Sequence, residues 1–325
     1  MQKTPLIAVV IPSYKVTRHI LGVIAGIESG VEFIFVVDDK CPDGSGAFVR
    51  ANCTDPRVTV LEHTINQGVG GAVMTGYAAA IKAGASIIVK VDGDGQMDPG
   101  LIPKFIAPIL LGEADYAKGN RFYDLEQIRS MPLMRLFGNA VLSLLTKLSA
   151  GYWDIFDPTN GYTAIHAEVA NHLSFDKISK RYFFETDILF RLNTLNARVV
   201  DVPMDAVYGD EVSNLKISRI VTEFMLKHAR NFLKRLFYNY YLRNMSLASI
   251  ELPLGLGLFG FGTIYGIAAA ANSARAGTET PAGVVMMAAL PILMGLQLIL
   301  AFLAYDIASV PRRAIHTRRI VEARQ

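Results

Sequence analysis

The stretch Ser86-Ile87-Ile88-Val89-Lys90-Val91-Asp92-Gly93-Asp94-Gly95-Gln96-Met97-Asp98 passes from a β-branched run straight into an acidic loop punctuated by glycine. Such a run suits a short strand buried in a parallel sheet. The pattern repeats toward the N-terminus. Residues 6–11 and 31–37 are further short apolar runs, the first closed by Pro12 and the second by Asp38 and Asp39, and residues 58–61 form another. Between them, residues 16–27 and 72–83 space their apolar side chains as helices do. Repeated β-α-β order predicts an α/β fold with a parallel, doubly wound sheet and ligands bound beyond the carboxyl ends of its strands. Pro12, the Asp38-Asp39 pair, residues 66–71 and residues 92–98 each follow a strand directly, so four strand ends converge on one crevice.

The chain has 325 residues, enough for one large domain and an accessory part. Half of its residues are hydrophobic (51%), and the excess lies near the C-terminus. Residues 252–271 and 282–305 carry no charge, and each run is long enough to cross a hydrocarbon core of about 30 Å. They are expected to be transmembrane helices forming a hairpin. Lys216, Arg219, Lys227, Arg230, Lys234, Arg235 and Arg243 precede the first run, and Arg312, Arg313, Arg318, Arg319 and Arg324 follow the second. The intervening loop offers only Arg275, balanced by Glu279. The positive-inside rule then puts the N-terminal domain and both termini in the cytoplasm, with the chain integral to an inner or plasma membrane. No signal peptide is expected, because the apolar run 6–11 is too short and is closed by Pro12.

Four segments follow: a domain over 1–214, amphipathic juxtamembrane helices over 215–250, two transmembrane helices over 251–306 and a basic cytoplasmic tail over 307–325. Residues 132–148 and 216–243 read as amphipathic helices, the second alternating apolar with basic residues as a membrane interface requires. A net charge of +3, concentrated beside the apolar runs, points to membrane lipids and away from nucleic acid. Cys41 and Cys53 are expected to be free thiols.

Asp92, Asp94 and Gln96 stand at alternate positions of the acidic loop, so two carboxylates and an amide oxygen can face one hard cation. Mg²⁺ or Mn²⁺ there would bridge a diphosphate and neutralise charge on a departing nucleotide. Arg121 follows a strand-like stretch, and Arg135 opens the amphipathic helix with Asn139 one turn later; surface ion pairs are the alternative reading for Arg121, Arg129 and Arg135.

Together these motifs resemble the inverting family 2 glycosyltransferases, and most nearly the branch of dolichyl-phosphate mannose synthases and bacterial polyisoprenyl-phosphate glycosyltransferases. The resemblance covers residues 6–210. It rests on Ile11-Pro12-Ser13-Tyr14, Val37-Asp38-Asp39, Asn66-Gln67-Gly68-Val69-Gly70-Gly71-Ala72, Asp92-Gly93-Asp94-Gly95-Gln96, Gly119-Asn120-Arg121 and Asp157-Pro158-Thr159-Asn160-Gly161-Tyr162. It implies a GT-A fold, Rossmann-like with a mostly parallel sheet. It also implies metal ligands at Asp92, Asp94 and Gln96, and donor contacts at Pro12, Tyr14, Asp38, Asp39, Gln67, Gly68, Asp92 and Gly93. Acceptor-phosphate contacts fall at Arg121, Arg135 and Asn139. Pro12 and Tyr14 have an alternative as strand terminator and core aromatic. Asp157 and Glu185 match acidic residues that serve as base or orienting group, an N-cap role being the alternative for each. A phosphate monoester has a second pKa near ~6, so an acceptor phosphate is already a nucleophile without a base.

The function implied is inverting transfer of a hexose from a nucleotide-sugar, a UDP-sugar before GDP-mannose, onto an undecaprenyl or dolichyl type of polyisoprenyl phosphate. Lys15-Val16 and Lys40-Cys41 replace the Asn-Glu and Gly-Ser pairs of many relatives, which leaves base and sugar open. Assembly into a homo-oligomer is left open too. The competitors are a polysaccharide synthase, for which no Gln-x-x-Arg-Trp motif is found, and a non-catalytic sugar-nucleotide-binding scaffold.

Overall fold

The computed structural model describes residues 4–123, 133–205 and 217–317. The chain divides into two compact units, Met1–Phe232 with Pro311–Gln325, and Leu233–Val310.

The first unit opens with β1 (Ile7–Ser13), α1 (Ile20–Ala25), β2 (Phe33–Asp38), α2 (Ser45–Asn52), β3 (Val58–Glu62), α3 (Val69–Lys82) and β4 (Ile87–Lys90). These parallel strands are the expected β-α-β repeats. Pro12 lies inside β1 rather than closing it, paired with Val37. The ladder to β4 ends at Val10 and Lys90, with the Val91 amide on the Val10 carbonyl at 3.1 Å, so the N–H that proline lacks has no β4 partner to serve.

After α4 (Ile102–Leu110) come β5 (Tyr116–Asn120), α5 (Leu133–Ala150), β6 (Thr163–His166), α6 (Ala167–Asn171), α7 (Phe184–Thr194) and β7 (Val199–Pro203). The seven-stranded sheet has the order β3-β2-β1-β4-β6-β5-β7. Only β6 runs against its neighbours, because the chain re-enters the sheet from the carboxyl side of β5. The fold is therefore α/β with a mostly parallel sheet.

Alternation along β1 and β4 divides the interior. Val9, Ile11, Val89 and Val91 pack with Phe105 and Ile109 of α4, and the Phe105 ring stacks on Tyr162 at 4.0 Å. On the other face Gly76 of α3 meets Val10, where a Cβ would stand 2.2 Å from Val10 Cγ1.

α8 (Ile217–Phe237) continues as a π-helical turn, Tyr238–Arg243. It exposes Met225, Leu226, Leu233 and Phe237 beside Arg230 and Lys234. The second unit then holds α9 (Ala248–Ala276) and α10 (Ala282–Ala308), both long and apolar enough to cross a membrane. Gly255, Gly262 and Gly295 let the two backbones approach. A Cβ on Gly295 would lie 2.5 Å from the Phe259 nitrogen. Arg235, one of the basic residues before the first apolar run, is buried. Its guanidinium forks onto Asp306 at 2.6 and 2.9 Å, satisfying an acid placed just beyond the second apolar run.

Residues 311–317, in the segment expected as a basic tail, belong to the first unit. Asp115 accepts the Ile315 and His316 amides and the His316 ring nitrogen, the last at 2.7 Å, and His316 stacks on His166.

Candidate active site

A cavity of about 580 Å³ opens where the carboxyl ends of β1, β2 and β4 converge. Pro12, Ser13 and Tyr14 line it from β1, Asp39 from β2, Gly68 from the loop into α3, and Asp92, Gly93 and Asp94 from β4. Tyr14 is 45% exposed, so it is no core aromatic.

The paired acids after β2 do different work. Asp38 is turned away from the cavity, its oxygens taking the Cys41 amide at 2.7 Å and the Gly46 amide at 2.6 Å. Asp38, expected as a donor contact, is thus not among the cavity-lining residues, since successive strand side chains face opposite ways. Asp39 faces inward and accepts the Gln67 and Gly68 amides at 2.7 Å each, while His63 closes on it at 2.7 Å. The glycine-rich loop is thus pinned by a carboxylate. Gly68 has φ of +86°, and a Cβ there would strike the Lys180 carbonyl at 2.5 Å. Gln67 faces Lys180, with which it hydrogen-bonds at 2.8 Å, and it is not among the cavity-lining residues.

The close packing of residues 68–71 on residues 179–181 carries Arg181 and Tyr182 to the cavity wall. Neither was expected from the sequence, where Lys180-Arg181-Tyr182 resembles an ordinary surface turn. Arg181 adds a cation to a cavity also lined by Asp39, Asp92 and Asp94, the charge a diphosphate would need.

In the acidic loop Gly93 is wedged against Ile11 and Val16, and Gly95 takes φ of +80° to turn the chain. Asp94 Oδ1 accepts the Gln96 amide at 3.0 Å. Asp92 is 28% exposed and lies 2.8 Å from the ammonium of Lys90. Asp98 serves the local backbone, accepting the Gly100 amide at 2.8 Å. Gln96 does not line the cavity. Among the described residues no group of three His, Cys, Asp or Glu side chains could hold a metal alone. Two carboxylates on one cavity wall still suit a hard divalent ion of the Mg²⁺ kind, which takes one or two carboxylates and completes its shell with substrate phosphate and water.

At the end of β5, Arg121 closes on Asp157, with Nε 2.8 Å from Oδ2 and Nη2 3.2 Å from Oδ1. The Arg121 side chain is 32% exposed, whereas that of Asp157 is wholly buried. Asn139 lies on α5, as does Arg135, whose side chain is outside the described residues along with all of Arg129. Glu185 sits in the first turn of α7, which Phe183 caps, so it is no N-cap. Burial raises its pKa, and the nearby Lys90 and Lys118 oppose that rise. Lys118, buried in β5, is pulled down to about 8 by desolvation.

Comparison with known proteins agrees with this geometry. The glycosyl transferase family 2 model matches residues 8–174, which take in six of the seven strands. The chain is 30% identical to the UDP-N-acetylglucosamine–dolichyl-phosphate N-acetylglucosaminyltransferase of Methanococcus voltae, over 63% of this chain and 87% of that relative. It is 32% identical to the undecaprenyl-phosphate mannosyltransferase of Micrococcus luteus, over 54% of this chain and 71% of the relative. Among solved structures, glucosyl-3-phosphoglycerate synthase from Mycobacterium tuberculosis in complex with UDP superimposes with a TM-score of 0.52 at 19% identity, over 71% of this chain and 80% of that one. That likeness is one of fold. With the family match running from β1 through the acidic loop to β6, and the strand ends it covers meeting in one cavity, the chain belongs to glycosyl transferase family 2.

Proposed function

We propose that the chain transfers a hexose from a nucleotide-sugar to a polyisoprenyl phosphate at the cytoplasmic face of a membrane. The observation that carries this reading is the placement of Asp92 and Asp94 on one wall of the strand-end cavity, with Arg181 among its lining residues. Tyr14 presents an exposed ring on which a base can stack, and Gly68 and Gly93 let a ligand lie against backbone. Relatives named for dolichyl- and undecaprenyl-phosphate support a lipid phosphate as acceptor.

A divalent Mg²⁺ or Mn²⁺ held by Asp92 and Asp94, with Gln96 as the third expected ligand, would supply charge neutralisation to the departing diphosphate. The residues themselves do the positioning. An oxygen of the acceptor phosphate attacks the anomeric carbon as the bond from that carbon to the diphosphate breaks, inverting the anomeric configuration. The phosphate is largely dianionic above a pH of about 6 and needs no proton removed. Asp157 accordingly acts through Arg121, whose guanidinium it fixes for the acceptor phosphate. Arg135 and Asn139 on α5 are the proposed further contacts. The exposed apolar and basic residues of α8 suit the headgroup region, and the hairpin keeps the enzyme where the lipid substrate resides. A UDP-sugar is the favoured donor and GDP-mannose the alternative.

The test is a panel of radiolabelled UDP- and GDP-sugars offered with undecaprenyl or dolichyl phosphate and Mn²⁺ to the full chain in detergent, followed by solvent extraction. Label in the lipid fraction from one nucleotide series is expected. Label that stays water-soluble with every donor overturns the proposal.

A further inference from the structure

Lysine is a poor choice for a buried strand, yet Lys90 closes β4 with only 1% of its side chain exposed. Its neighbours explain how it is tolerated. The ammonium lies 2.8 Å from Asp92 Oδ1 and 3.9 Å from Glu185 Oε1, so the charge is paired on two sides. Across the sheet Lys90 stands in register with Thr163 of β6, which in turn stands in register with Lys118 of β5. The row is polar in an otherwise apolar layer, and it lies directly behind the acidic loop.

The contact with Asp92 is shaped by a third residue. A Cβ on Gly161 would stand 2.5 Å from Lys90 Nζ and 2.8 Å from Asp92 Oδ2, so a side chain there would push the pair out of this arrangement. Asp92 shares its cavity with Asp39 and Asp94, and like charges there would drive it to another rotamer before any ligand arrives. An ammonium fixed on Oδ1 offsets that repulsion and holds the carboxylate in place.

We infer that Lys90 is a positioning residue for nucleotide-sugar binding: held between Glu185 and the Gly161 backbone, it locks Asp92 in the orientation that receives the donor. This rests on the donor-site reading above. Lys90 itself touches no substrate. The alternative is that Lys90 serves only to neutralise Glu185 inside the fold, and the two roles separate by experiment.

The measurement is titration calorimetry of UDP and GDP binding to the full chain in detergent, with and without Mn²⁺, alongside thermal melting. The variants are Lys90→Met, the charge-balanced Lys90→Met/Glu185→Gln pair, and Gly161→Ala. Groups that orient a ligand residue typically carry ~10–100-fold in affinity. At least tenfold weaker nucleotide binding is expected for Lys90→Met and Gly161→Ala on the same principle. The double variant is expected to recover melting temperature without recovering affinity. Wild-type affinity in the double variant overturns the positioning role and leaves charge neutralisation. If the wild-type chain itself binds neither nucleotide with Mn²⁺, the donor-site reading falls, and this inference with it.

Discussion

Arg121 and Asp157 form a closed fork 36 residues apart in sequence, the carboxylate wholly buried and the guanidinium reaching the surface. Both carboxylate oxygens are engaged by arginine, and Thr159 and Asn160 also approach them. This arrangement fits the orienting role proposed for Asp157. Asp157→Asn is therefore expected to raise the acceptor KM and lower turnover roughly tenfold, in line with loss of a group that orients a ligand. The acid limb of the pH–rate profile, set by the acceptor phosphate, should stay in place. Arg121→Ala is expected to cost stability too, about 3 kcal/mol, because it strands a buried carboxylate. Steady-state kinetics and thermal melting check both.

Asp94→Ala is expected to abolish transfer and to remove the effect of Mn²⁺ on nucleotide affinity, while the chain still inserts in membranes. Titration calorimetry and carbonate extraction read the two separately.

Two histidines outside the apolar hairpin set an acid limit on stability. Burial holds His166 and His228 each at about 4. Their unfolded value is near ~6.5, so the stability they contribute is complete above that pH and is lost as pH falls toward 4, where the unfolded chain binds protons that the folded one refuses. His228, 3% exposed and bonded to Ser149 at 2.8 Å, accounts for on the order of 3 kcal/mol of that loss. Melting temperature measured from pH 7 to pH 4 should drop over this window, and His228→Gln should flatten the slope.

The hairpin glycines are not equivalent. Gly257 and Gly260 face open space, whereas a side chain at Gly262 would meet the Ala288 carbonyl at 2.6 Å and one at Gly295 the Phe259 backbone. Gly295→Val and Gly262→Val are expected to separate the helices and lower the melting temperature in micelles. Gly257→Ala and Gly260→Ala should leave it unchanged or raise it, since alanine favours helix by up to ~1 kcal/mol.

Much of the architecture was legible because its signals are local. The runs that became β1 and β2 are apolar on both faces and end in polar turns, and the apolar stretches 252–271 and 282–305 lie within α9 and α10. What escaped is set by tertiary position. β6 has only four residues, Thr163-Ala164-Ile165-His166, and its reversed direction comes from the path of the chain before it. Asp38 and Asp39 look alike in sequence, but strand alternation admits one to the cavity and sends the other to the backbone of α2. Lys90, Thr163 and Lys118 form a row only through sheet register, and Asp115 meets His316 across 201 residues.

Metal-dependent transfer to a lipid phosphate is the reaction proposed for this chain. The most direct measurement is the rate at which labelled sugar enters the lipid phase from donor and polyisoprenyl phosphate, followed through removal of divalent ions with EDTA and their restoration with Mn²⁺. Transfer that stops on chelation, returns with Mn²⁺ and never returns in Asp94→Ala is the predicted result. Transfer that persists undiminished in EDTA, or in Asp94→Ala, contradicts it.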